Sequence, residues 1–111
     1  MIRPVNFGFN AETAVNNAFQ VNSSGNVQQK ALEEFDGLVS LLSENKVSLT
    51  VITDTEIPHT PDSIFPNNWI SFHEDGTVFI YPMFAANRRL EKKPHIFENL
   101  KANLRITEIK D

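Results

Sequence analysis

The chain has 111 residues, and 10 Lys+Arg against 14 Asp+Glu give a formal net charge of −4. With 41% hydrophobic and 22% charged residues, the composition argues for one folded domain over residues 1–111 and against resting disorder. The acidic excess, without any basic cluster, argues against nucleic acid as a partner, and no apolar run approaches the roughly 18 residues that cross a membrane.

Residues 1–5 read as a short strand with Pro4 near its end, where a missing N–H is tolerated. A strand beginning at the first residue implies that the chain starts inside an element. Residues 6–26 are rich in Asn, Ser, Gly, Ala and Gln and form an irregular stretch longer than most connections. Phe7, Phe9 and Phe19 predict that it is a packed loop, since each has a large apolar area to bury. Residues 27–45 are the clearest helix. Ala31, Leu32, Phe35, Leu38, Val39 and Leu42 recur at helical spacing, with Glu33, Glu34, Asp36, Ser40 and Glu44 on the other side. Asn45 is the expected left-handed residue at its end.

Residues 47–53 alternate and are rich in β-branched side chains, which predicts a strand. Residues 54–62, with Pro58 and Pro61, form a loop. Residues 63–72 read as a strand interrupted by Pro66. Asp75-Gly76 predicts a hairpin turn leading into a partner strand over residues 77–81. Residues 88–102 carry the apolar stripe of a second helix, in which Pro94 predicts a break or a delayed start. Residues 104–109 alternate as a last strand. Helices alternating with strands, plus one antiparallel hairpin, predict an α/β fold with a mixed sheet.

The densest polar constellation is residues 61–71, where Asp62, Ser63, Asn67, Asn68 and Ser71 accompany the single tryptophan, Trp69. Two readings stay open. A carboxylate with carboxamide acceptors beside an aromatic face suits the planar N–H fork of a guanidinium. An Asx-type turn ahead of a strand, with Trp69 as core, accounts for the same residues. Arg88 could hold a ligand carboxylate bidentately or begin a solvated helix, and its neighbour Arg89 would face about 100° away. His59, His73 and His95 share no metal-ligand spacing. The absence of cysteine removes disulfides, thiolate metal sites and a cysteine nucleophile. Ser63 and Ser71 have no histidine placed to activate them. No secretory signal opens the chain, so a cytoplasmic location is the expectation.

The segments IRPVNFGFN, TPDSIFPNNWISFHEDGTVFIYPM and ANRRLE together resemble the N-terminal part of the guanidino-group-modifying superfamily. More narrowly, the chain is similar to its citrulline-hydrolase-type branch, often labelled amidinotransferase, whose relatives include dimethylarginine dimethylaminohydrolases and arginine deiminases. The resemblance covers essentially the whole chain. It implies a pentein fold, a five-bladed α/β propeller whose blades each join a small mixed sheet to one helix, with about the first two blades present here. The implied ligand is a small guanidino or ureido amino acid in the central channel, handled by a cysteine nucleophile and a histidine that lie outside these residues. No metal or organic cofactor is implied.

Carried over by position, Asp62 would hold the guanidinium-like nitrogens, and Arg88 would clamp the ligand carboxylate. Asn67 and Asn68 fall where relatives carry a Glu-Asp pair. Two carboxamides in place of two carboxylates favour an uncharged ureido group, such as that of citrulline, over a cationic guanidinium. Without the nucleophile, the expectation is a substrate-recognition fragment that is inactive alone. The alternatives are a non-catalytic binding module for arginine- or citrulline-like ligands, and a piece completed by a second chain. The raw sheet edges of an incomplete propeller would be an association hazard.

Overall fold

In the computed structural model, residues 1–16 and 25–111 are described. Strand β1 (Ile2–Arg3) pairs in parallel with β2 (Ile52–Thr53), Ile2 opposite Ile52 and Arg3 opposite Thr53. A second sheet joins β3 (Ile70–Phe72) to β4 (Thr77–Ile80) as an antiparallel hairpin, and β5 (Glu108–Lys110) to β4 in parallel. Its order is β3-β4-β5, the mixed α/β arrangement that the alternation of elements predicts.

The strands are shorter than the alternating segments, because a ladder extends only as far as both partners do. Residues 47–53 alternate throughout, yet only Ile52 and Thr53 face β1. Pro66 has the same effect on residues 63–72. Its fixed φ and missing N–H start a 3₁₀ turn at Pro66–Asn68, and the strand begins only at Ile70. The hairpin turn forms as predicted, with Gly76 at φ 87°.

Four helices are described. Helix α1 (Ala11–Ala14) falls within the stretch predicted to be irregular; the Asn10 side chain caps it by accepting from Glu12 N. Phe19 lies outside the described residues. Helix α2 (Val27–Glu44) has the predicted span, with Asn26 as its N-cap. Its left-handed terminal residue is Lys46 at φ 62°, not Asn45. Asn45 instead turns its carboxamide back to donate to Leu41 O at 2.8 Å, so the reversal falls one residue later. The second predicted helix is two helices, α3 (Ala86–Arg89) and α4 (Pro94–Asn103), and α4 has its proline in the first turn, where no N–H is missed.

The core gathers Ile2, Ile52, Trp69, Ile70, Val78, Ile80, Ile96 and Leu100, linking both sheets to α4. Each such aliphatic side chain contributes about 1.5–3 kcal/mol relative to exposure. Trp69, only 1% exposed, meets Phe97 with ring centroids 6.1 Å apart. The tryptophan is therefore core, and offers no open aromatic face to a ligand. Helix α2 buries Ala31 and Phe35 of its stripe but leaves Leu38 47% exposed. Among the described residues, no helix is long and apolar enough to cross a membrane.

Candidate functional site

The loop after β2 reaches the core through consecutive tight turns. Ser63 N donates to Thr60 O, Phe65 N to Asp62 O, Asn68 N to Phe65 O and Trp69 N to Pro66 O. Buried Trp69 and β3 fix the far end of these turns. Helix α3 stands against them and, of its residues, turns Arg88 into the interior.

Arg88 is 6% exposed, so it does not begin a solvated helix. Its Nε donates to Glu91 Oε1 at 2.8 Å and its Nη2 to Glu91 Oε2 at 3.1 Å, a bidentate pair one helical turn apart. Nη2 also donates to Phe65 O at 3.1 Å, and Nη1 to Asn68 Oδ1 at 2.8 Å. Of the five N–H donors on a guanidinium, those contacts engage four. Arg89 stays exposed and donates to the carbonyls of Met83 and Phe84. Arg88 is thus the inward member of the pair.

Asp62 is 5% exposed. Its Oδ2 accepts from Asn10 Nδ2 and from Thr13 Oγ1, each at 2.9 Å, and lies 4.0 Å from Arg88 Nε. Asn10 exchanges side-chain hydrogen bonds with Asn87, at 3.1 and 2.8 Å. Glu12 Oε2 accepts from Asn87 N. Three distant segments therefore converge on one carboxylate: residues 10–13, residues 62–68 and residues 87–91.

The formal charges of Arg88, Asp62 and Glu91 sum to −1, since one cation faces two carboxylates. Burial pushes the Glu91 carboxyl up, Arg88 pulls it down, and the Asp62 charge pushes it up further, so it ends above the ordinary glutamate value. The indole N–H of Trp69 also favours the Glu91 carboxylate, although it makes no fully formed hydrogen bond. A buried centre with one uncompensated negative charge suits a ligand that brings N–H donors.

The other predicted residues separate. Asn68 joins the centre through its carboxamide oxygen, while its residue as a whole remains exposed. Asn67 is exposed and makes no hydrogen bond through its side chain among the described contacts. It lines instead an apolar groove of about 660 Å³ between α2 and the turn at residues 64–67, with Phe7, Ala31, Phe35 and Phe65 among the walls.

The expectation that no histidine reaches Ser71 is wrong. Ser71 Oγ lies 3.2 Å from His73 Nε2 and 2.9 Å from Tyr81 OH. Residues two apart on a strand share a face, and the Asp-Gly turn folds Tyr81 onto the same face. None of these three side chains takes part in the hydrogen bonds of the Asp62 centre.

Sequence reasoning missed Asn10, Thr13, Asn87 and Glu91. Two signals were available: the spacing of Arg88 and Glu91, which puts opposite charges on adjacent turns, and Asn10 ahead of a short helix-forming run. The long-range meeting of residue 10 with residues 62 and 87 had none. Among the described residues, no three His, Asp or Glu side chains gather to hold a metal ion.

Residues 3–111 match the family model described as N,N dimethylarginine dimethylhydrolase, eukaryotic. Comparison with curated proteins and with solved structures gave no match.

Proposed function

The chain belongs to the dimethylarginine dimethylhydrolase family, within the guanidino-group-modifying superfamily, and from that premise we propose that its Asp62 centre recognises a guanidino or ureido amino acid. The chemistry of such a hydrolase needs a thiolate to attack the guanidino or ureido carbon and an acid to protonate the departing amine. None of the 111 residues is a cysteine. In this reading these residues supply recognition without turnover, and the thiol comes from outside them. The sheet of β1 and β2 with α2, and the sheet of β3, β4 and β5 with α4, are the first two blades of a pentein propeller. Their open edges are where further blades, or other chains, would associate.

The observation that carries the proposal is the buried, net-negative centre around Asp62. Asn68 sharpens the ligand class. Its Oδ1 accepts from Arg88, so the same carboxamide is left with an NH₂ to donate. A ureido group offers N–H donors toward Asp62 and a carbonyl acceptor toward Asn68, whereas a guanidinium offers donors only. Citrulline fits this pairing better than arginine or dimethylarginine, and the citrulline-type branch is the reading we favour. Arg88 retains one N–H, on Nη1, with which to touch the ligand carboxylate. Asn67 would add a further carboxamide if the turn at residues 64–67 closes on the ligand.

Calorimetry with L-citrulline, L-arginine and asymmetric dimethylarginine tests this. Citrulline should give the strongest binding, Asp62→Ala should abolish it, and Asn68→Asp should shift preference toward the cations. No heat with any of the three, from the unmutated chain, overturns the proposal.

A further inference from the structure

Lys93, immediately before α4, is 4% exposed, and its Nζ sits inside a shell of oxygens. Asp54 Oδ1 lies at 2.6 Å, Thr60 Oγ1 at 3.0 Å, and the carbonyls of Thr55 and Pro58 each at 3.1 Å. Thr60 Oγ1 donates in turn to Asp54 Oδ2 at 3.0 Å. An ammonium has three N–H donors, so four oxygens at these distances surround it as a compact charge, not as a set of single directional bonds. Burial works to raise the Asp54 carboxyl, but hydrogen bonds from Lys93, Ser63 and the Thr55 backbone hold it below its ordinary value.

All four oxygens come from residues 54–60, the loop that runs from β2 to the first of the turns carrying Asp62. Thr60 belongs to both, since its carbonyl accepts from Ser63 N. The charge at Nζ therefore draws one loop around itself, and that loop ends at the recognition carboxylate.

We propose that Lys93 is a positioning residue, a tethered cation whose charge at this point, and not its hydrocarbon stem, shapes the loop that presents Asp62. The functional half of this inference rests on the reading of Asp62 as a ligand-binding group. A shell made only of hydroxyl, carboxylate and carbonyl oxygens is the chemistry by which proteins replace the water around potassium. Lysine fits it because its ammonium is a compact point charge, unlike the planar fork of arginine. Vacating the shell with Lys93→Ala should leave a place for potassium or ammonium, and lithium, being smaller, serves as the control for ionic strength.

The test follows the 111-residue chain and Lys93→Ala in equal concentrations of potassium, ammonium and lithium chloride. The unmutated chain should melt alike in potassium and lithium. In lithium the variant should melt more than about 10 °C lower and lose citrulline binding; in potassium or ammonium it should recover most of both. Potassium doing no more than lithium, or undiminished citrulline binding in lithium, overturns the inference. If the unmutated chain binds no ligand, the proposed function falls by itself, and potassium-specific recovery of the melt decides whether the shell holds a cation. If Lys93→Ala does not fold in any salt, Lys93→Met decides. That variant keeps the stem but removes the charge, so it should lose citrulline affinity about ten-fold, and unchanged affinity overturns the inference.

Discussion

Asn10 and Asp62, 52 residues apart in sequence, meet at 2.9 Å with Asn10 Nδ2 donating to Asp62 Oδ2. This contact ties the segment after β1 to the loop after β2, so the site is assembled by tertiary structure and not by a contiguous motif. Asn10 is 2% exposed and also bonds Asn87. Asn10→Ala takes a hydrogen bond from the buried Asp62 carboxylate and from the half-buried Asn87 carboxamide, and should destabilise the fold by about 1–3 kcal/mol. Urea unfolding measures this, and a loss within error of zero would mean that the contact is incidental.

The pair of Arg88 and Glu91 makes a sharper prediction. Arg88→Met leaves Glu91 buried beside Asp62 without its cation and should cost about 3–5 kcal/mol. Adding Glu91→Leu removes the orphaned charge, so the double variant should be more stable than Arg88→Met alone. A double variant worse than the single one would show that hydrogen bonding, not charge, dominates the pair.

Two buried carboxyls give opposing pH slopes. Asp54 is held below its ordinary value, mainly because the hydrogen bonds of Lys93 and its neighbours outweigh burial. Its contribution is present above the ordinary aspartate value and is lost as pH falls through the folded one. Glu91 is raised, chiefly by burial. The folded state holds its proton more tightly, so that contribution is present below the ordinary glutamate value and is lost as pH rises toward the raised one. Urea unfolding across pH should therefore show Glu91→Gln flattening the decline above the ordinary glutamate value. Asp54→Asn should flatten the loss at the acid end. An unchanged slope in either window contradicts the corresponding assignment.

The hairpin provides a test of backbone geometry. At Gly76 a Cβ would lie 3.0 Å from Arg105 O, at φ 87°. Gly76→Ala should cost about 1–2 kcal/mol through strain. Gly37, within α2, has nothing within 4 Å of an added Cβ, so Gly37→Ala should stabilise by about 0.5–1 kcal/mol. Thermal melts of the two variants should move in opposite directions.

What could be read in the sequence was local. The stripe from Ala31 to Leu42 and the Asp75-Gly76 turn each carry their own periodicity or turn chemistry, and α2 and the β3–β4 hairpin stand where these place them. Pro94 marked the start of α4 for the same reason. The strands ended early where the partner did, as at Ile52 and Thr53, and a partner's length is not written in the strand itself. At the site, Asp62 and Arg88 stood out by residue type, and both proved buried and close. Glu91 was hidden because it reads as one more surface charge, and Asn10 because only the fold brings it to Asp62. The Ser71–His73 contact was missed although strand alternation and the hairpin turn both place it.

The most direct measurement of whether the Asp62 centre binds ligand is side-chain ¹H–¹⁵N NMR of Asn10 Nδ2, Asn68 Nδ2 and Arg88 Nε during titration with L-citrulline. Saturable shifts at all three, with smaller ones for L-arginine and none in Asp62→Ala, are the result expected here. Resonances that stay fixed while citrulline is raised to excess would show that the buried charges hold the fold together and recognise nothing.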